Sequence, residues 1–453
     1  PKITGTGYLD LTNSVVATLS YNDNYTFAGI ITGNGSLVVT EGTNKTLTLS
    51  NASSSYTGST TLTSGILAIS ADVNLGSSSS IIFNGGTLQT TASFTLSSSH
   101  GMTLTQAAII NVDSGTTLSY GGVISSTATL EKKGTGTLYL YGNNTFSGAT
   151  TVTQGTLQIG HAAALGDTSS GTTVSSGASL YLTGAITFNA EPLNISGTGY
   201  SYGALYSSGN NTYSGPITLV ADSTISSVSG TLTLSGGISG SKNLTIYSLG
   251  NTTINSAIAT TGSLTKTGYG TLLLSVANTY TGTTTVSQGI LQLSHASAIG
   301  GSSSATVSSG ATLELTGSNI SFDARPLTIT GYGYGTIGAL RNLSGNNTYT
   351  GDITLSSNTY INAYVSGDTL TLSGNIGGSG YPYLFGQGNI VLSGILSFTS
   401  GALQVYMDRS ASTVTLSGSG TNTFNGGTAL YQGVLVLNKS NALNSSGGNI
   451  SFN

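Results

Sequence analysis

The stretch that decides the fold is Lys266–Gly300, KTGYGTLLLSVANTYTGTTTVSQGILQLSHASAIG. It holds two short apolar runs, Thr271-Leu272-Leu273-Leu274 and Ile290-Leu291-Gln292-Leu293, separated by the polar corner Asn278-Thr279-Tyr280-Thr281-Gly282. Nearly the same text stands at Lys132–Gly166, KKGTGTLYLYGNNTFSGATTVTQGTLQIGHAAALG. In both, the apolar period is two rather than 3.6, which predicts strands, and Thr, Val, Ile and Tyr are strand formers.

Working outward, weaker copies appear on both sides. Tyr56-Thr57-Gly58 is followed by Gly65-Ile66-Leu67-Ala68-Ile69, and Asn422-Thr423-Phe424-Asn425-Gly426 by Gly433-Val434-Leu435-Val436-Leu437. Further strands are predicted at Ser36–Val39, Thr46–Ser50, Ser80–Phe83, Thr87–Thr90 and Met102–Thr105. Glu41-Gly42 stands where the later copies carry Lys132 and Lys266. The corner asparagines are Asn144, Asn211, Asn278, Asn347 and Asn422, with gaps of 67, 67, 69 and 75. Each gap is three turns of a solenoid with about 22 residues per coil, which returns one corner to one edge each time. The expected fold is all-β: a right-handed parallel β-helix, a β-solenoid of about 20 coils and roughly 100 Å long at the usual strand spacing. One continuous solenoid is expected over residues 1–453, with clear long repeats at 132–265 and 266–417 and partial copies at 20–131 and 418–453. Its inward stack includes Leu67, Ile69, Leu138, Leu140, Leu157, Ile159, Leu272, Leu274, Leu291, Leu293, Leu435 and Leu437.

Composition narrows the function. Charged residues are 5% of the chain, 10 basic and 14 acidic, for a net charge of −4. No basic cluster exists to displace counterions from a phosphate backbone, so no nucleic-acid partner is expected. The chain has no cysteine, which excludes disulfides, thiol nucleophiles and Cys-ligated zinc. No apolar run is long enough for a transmembrane helix. The chain opens on Pro1 without a signal peptide and reads as a segment of a longer precursor.

Candidate chemistry is thin. His161 and His295 occupy one repeat position, six coils apart, too far to share a metal. His100, Asp113 and Ser114 supply the residue types of a catalytic triad without its context. Asp323-Ala324-Arg325 is the nearest local acid–base pair, and with Glu314 it is the place to look for the clustered acids of a polysaccharide-cleaving β-helix. Gly134-Thr135-Gly136 and Gly268-Tyr269-Gly270 complete no nucleotide loop and read as corners. No catalytic residue, metal or cofactor is predicted. The corner residues Asn144, Asn211, Asn278, Asn347 and Asn422 are expected to stack as a structural ladder, each bonding its own turn or the next coil. Beside them, Phe146, Tyr213, Tyr280, Tyr349 and Phe424 are either packed rings or candidate contact aromatics on an exposed stripe.

The composite motif L-x-K-x-G-x-G-T-L, N-T-[FY]-[ST]-G, T-V-x-x-G-x-L-x-[LI] spans Leu264–Leu272, Asn278–Gly282 and Thr285–Leu293, and again Leu130–Leu138, Asn144–Gly148 and Thr151–Ile159. It resembles the passenger-associated, autotransporter-associated β-strand repeat. The resemblance implies an exported bacterial protein of the cell surface whose passenger is a parallel β-helix, and it carries over no catalytic residue. The outer-membrane barrel that usually ends such proteins is not visible in this sequence. The expected function is therefore a non-enzymatic structural or adhesive passenger. Low charge on a Ser/Thr/Asn/Tyr surface adds an expected partner, the chain itself, in filaments or bundles. Host or cell-surface glycans are a further expected partner. The alternatives are a polysaccharide-degrading or tailspike-like β-helix and a glycan-binding module.

Overall fold

The computed structural model describes residues 7–77, 80–443 and 449–452. Residues 444–448 of the last expected copy therefore lie outside the described residues, as do residues 1–6. The chain is a parallel β-solenoid of about 21 turns, with only 2% of its residues helical. It divides into two compact units, Pro1–Ile225 and Ser226–Asn453.

In each unit the strands stack in register, so that one side chain lies over the equivalent one in the next coil. In the first unit Leu118, Leu138, Leu157, Leu180 and Leu205 form such a column. In the second, Leu272, Leu291, Leu313, Leu340, Ile361, Leu384 and Val405 do the same. All of them are buried. The cause is the two-residue period: Thr271–Leu274 alternates half-buried with buried, and so does Thr137–Leu140. Each buried aliphatic side chain contributes about 1.5–3 kcal/mol, and the column repeats that contribution coil after coil.

Coil length is not constant. Register partners are 19 residues apart at Leu138 and Leu157 and 27 apart at Leu313 and Leu340. The extra residues leave the columns aligned because they loop out between strands, as in the turn at Tyr334–Thr336 between the strands Leu327–Gly331 and Leu340–Ser344. The short coils need glycine. Gly268 has φ +77°, and a Cβ there would lie 2.5 Å from the carbonyl oxygen of Ser248. A Cβ on Gly270 would collide with the backbone of Gly250. The G-x-G spacing thus permits one tight turn to lie flat on the turn below.

Three expectations require correction. Asn211–Tyr213 and Asn347–Tyr349 are strands rather than corners, because the longer coils there let the segment pair with Thr187–Phe188 and Ser321–Phe322. Leu435 is only half-buried and Leu437 is exposed: their strand pairs with Thr413–Leu416 on one side and with no described strand on the other. Glu41 does not occupy the place of the lysines. Val39 pairs with Leu62 just as Lys132 pairs with Val152, and Glu41 lies two residues further on in a longer loop.

Candidate functional site

The repeat motif builds a set of buried polar contacts. Asn278 Oδ1 accepts the main-chain N–H of Ile258 at 2.7 Å, and its Nδ2 donates to the carbonyl of Ala298 at 2.5 Å. These partners lie 20 residues before and after it, so one amide joins three successive coils. Asn144 does the same with Ile124 and Ala164, and Asn422 with Leu396 and Ala442. Asn211 and Asn347 accept from Ile186 and Ile320, but their Nδ2 groups turn to their own bends, onto Ser207 and Ser208 and onto Asn342 and Ser344. All five are buried. The expected ladder of stacked amides is not what the geometry shows. The copies recur every third coil, so each amide bonds backbone and not another corner asparagine.

The neighbouring aromatics are likewise interior. Phe146, Tyr213, Tyr280, Tyr349 and Phe424 are each 0% exposed, which corrects their candidacy as contact aromatics. A ring at this position fills the corner behind the Asn clamp, and its hydroxyl, where present, needs a buried partner. Tyr280 and Thr284 share a 2.6 Å hydroxyl contact, as do Tyr56 and Thr60. Tyr213 and Tyr349 donate to the carbonyls of Glu191 and Arg325. In the two phenylalanine copies the hydroxyl is missing, and there the equivalent Thr150 and Thr428 hydroxyls are buried without a hydrogen-bond partner. Tyrosine already fits this corner elsewhere, so Phe146→Tyr and Phe424→Tyr should each stabilise the fold by about 1 kcal/mol. Urea denaturation of the two variants checks this, and a loss of stability would show that the corner has no room for the hydroxyl.

Sequence reasoning missed the lysines of the motif. Lys132 and Lys266 are both 0% exposed. Each stands in an aliphatic column, Lys132 between Ile110 and Val152 and Lys266 between Ile246 and Val286. Lys266 Nζ donates to the carbonyls of Thr267 at 2.9 Å, Gly268 at 2.7 Å and Gln288 at 3.1 Å. Lys132 Nζ donates to Lys133 at 2.7 Å, Gly134 at 2.7 Å and Gln154 at 3.2 Å. Three carbonyls match the three protons of an ammonium group. Burial pulls Lys132 down to about 7 and Lys266 to about 8. The signal in the sequence was parity. Lys132 shares its face with Leu130, two residues earlier, and that face points inward.

The candidate catalytic groups are not brought together. His100 meets Asp72, at 3.3 Å, whereas Asp113 accepts from Gln89 at 2.8 Å, so His100, Asp113 and Ser114 form no triad. Glu314 is tied to Arg341 at 2.8 Å and to Gln292 at 2.9 Å, and burial still raises its pKa. The segment Asp323-Ala324-Arg325 closes a turn through Arg325 N–H to Asp323 C=O. At the equivalent place Glu191 is buried, accepts from Thr172 at 2.8 Å and is pushed up to about 7 by burial. Glu41 is buried too and accepts the N–H of Tyr21 at 3.0 Å. His161 and His295 each use Nδ1 to accept a main-chain N–H two residues on, at 3.1 Å. Among the described residues no three His, Asp or Glu side chains come together as a metal site. No helix of the described residues is long and apolar enough to cross a membrane.

Further aromatics lie on the outer faces of the sheets. In the first unit half-buried Tyr181 and buried Tyr206, register neighbours, stack with ring centres 4.4 Å apart. In the second unit Tyr360, Tyr383, Phe385, Tyr406, Asp408 and Tyr431 line a groove of about 390 Å³.

Four segments of the chain, residues 44–69, 130–159, 264–293 and 410–437, match the family model described as Passenger-associated-transport-repeat. No curated protein and no solved structure matches the chain. The matched segments contain both buried lysines, the Asn144, Asn278 and Asn422 clamps and all four ring–threonine pairs, Tyr56 with Thr60, Phe146 with Thr150, Tyr280 with Thr284 and Phe424 with Thr428. These four segments are similar to the passenger-associated-transport-repeat, the repeat family that the sequence motif resembles.

Proposed function

We propose that this chain is a non-catalytic structural segment of an exported bacterial surface protein, a solenoid stalk that associates with copies of itself. The observation that carries the reading is the use to which the reactive side chains are put. Lys132, Lys266, Asn278, Glu314 and both repeat histidines are engaged by neighbouring backbone or side chains that hold coils or turns in place. The repeat family supports export to the surface or the medium. Support for self-association comes from the outer surface. With 24 charged residues in 453, there is little like-charge repulsion to keep parallel faces of Thr, Ser and Tyr apart. Light scattering with electron microscopy over a concentration series is the test. Mass that rises with concentration, with filaments or bundles, is expected. A monomer at every concentration would remove self-association from the reading and leave the stalk.

A further inference from the structure

Beyond the stalk role, we propose that the aromatic groove of the second unit is a binding site for a neutral, linear polysaccharide. It is built by four successive coils. Tyr360 and Tyr383 are register neighbours, and so are Phe385 and Tyr406. Their side chains point outward, since Leu384 and Val405 between them are buried. Ring centres lie 5.1 Å apart for Tyr360 and Tyr383, 5.3 Å for Tyr360 and Phe385, and 5.6 Å for Tyr406 and Tyr431. Tyr332 extends the row, 4.6 Å from Tyr360. The rings therefore repeat along the coil-stacking direction at about the strand spacing. Aromatic rings recurring coil by coil, set edge-to-face around Tyr360, suit a periodic ligand, and the C–H faces of pyranose rings are apolar surfaces that pack on exposed aromatic rings.

The polar groups select the ligand's charge. Asp408 is the charged residue in the lining, and no ion pair among the described residues engages it. Arg409, next in sequence, turns away to donate to Ser366 at 2.9 Å. A carboxylate without a cation repels sulfated or uronic-acid chains and accepts from sugar hydroxyls in short charge-assisted bonds. The phenol hydroxyls supply further donors at the rim. A groove of about 390 Å³ accommodates a few sugar rings and lies within the usual volume of small-ligand sites.

The test is affinity electrophoresis of the whole chain through gels containing hydroxyethyl cellulose, mixed-linkage β-glucan, galactomannan or dextran, with heparin as the anionic comparison. Retardation by at least one neutral polymer and none by heparin is expected. Tyr383→Ala with Tyr406→Ala should weaken it at least tenfold, while Tyr383→Phe with Tyr406→Phe retains most of it. Tyr200→Ala, an exposed tyrosine of the first unit, should leave it unchanged. Should the double alanine variant lose its far-UV circular dichroism, Tyr406→Ala alone, at a half-exposed position, decides the matter. Retardation by heparin only, by none of the neutral polymers, or equally in the alanine and parent chains would overturn the proposal. None of these outcomes bears on whether the chain is a self-associating stalk, which scattering reads separately.

Discussion

Lys266→Met is expected to destabilise the second unit by about 2–4 kcal/mol, although it replaces a buried cation with an apolar side chain of similar length. Two effects oppose each other. Removing the ammonium relieves the cost of burying a charge with no carboxylate beside it. It also leaves the carbonyls of Thr267, Gly268 and Gln288 without the donor they face. Three main-chain acceptors at about 1 kcal/mol or more apiece outweigh the relief, because the ammonium is already solvated by them. The register supplies a natural comparison. Val39 and Val405 take the lysine's place opposite Leu62 and Leu430, and in those coils nine or ten residues separate the two strand starts, Leu37 to Thr46 and Leu403 to Thr413. Where lysine is present the interval is seven, Leu264 to Thr271. The lysine thus accompanies a tight turn whose carbonyls face its ammonium, although equally short or shorter intervals, Leu244 to Asn251 and Thr284 to Ile290, hold Ile246 and Val286 in its column. Because solenoids unfold locally as well as globally, the decisive measurement is amide exchange at residues 267–271, which should accelerate in the variant together with a lower urea midpoint. Unchanged exchange would mean that water reaches those carbonyls and that the lysine is dispensable.

The lysine also shows where the sequence was legible. Strand positions could be read because a two-residue period with leucine admits one inward face, and Thr271–Leu274 or Thr87–Thr90 emerge at the expected residues. Bonding partners could not be read in the same way. Asn278 is recognisable as a corner residue, but its partners Ile258 and Ala298 sit one coil away on each side, and register offsets between 19 and 28 hide that spacing. Lys266 has the parity of a core residue and the composition of a surface one. Only the tight double-glycine turn beside it explains why composition yields. The Phe/Tyr exchange at positions 146, 213, 280, 349 and 424 carried information as well. A position that accepts both rings and no aliphatic residue reports an interior slot where the hydroxyl is optional, and all five rings prove buried. The exposed groove rings had no repeat signature, since they follow from register between coils of unequal length.

Alkaline pH should unfold the chain over a window that its tyrosines define. Burial pushes Tyr56, Tyr120 and Tyr206 up to about 12 and raises Tyr213, Tyr280 and Tyr349 further. In the unfolded chain each phenol titrates at about 10. The folded-state values are raised, so the associated stability is fully present below about pH 10 and is lost as pH rises through about 12. A two-unit shift corresponds to about 2.7 kcal/mol per tyrosine, so Tyr56 and Tyr120 together remove about 5 kcal/mol from the first unit. The buried lysines act with the opposite sign. Their folded values, about 7 and about 8, lie below the unfolded value near 10.5. Between those limits the unfolded chain holds more protons, and stability climbs with pH. The two trends meet near pH 10, so thermal stability should rise from neutral pH to a maximum between about 9 and 10 and then fall steeply. Melting followed by circular dichroism, with tyrosinate absorbance recorded on the same samples, checks both limbs. The tyrosinate step of the buried phenols, the part that Tyr56→Phe and Tyr280→Phe reduce, should appear together with unfolding rather than before it. Early ionisation without loss of structure would place these hydroxyls in contact with water. Tyr56→Phe and Tyr280→Phe separate the contributions. Each should lower stability at neutral pH by about 1 kcal/mol through the lost contact with Thr60 or Thr284, and each should make the fall above pH 10 shallower, so that the variant and parent curves cross at high pH.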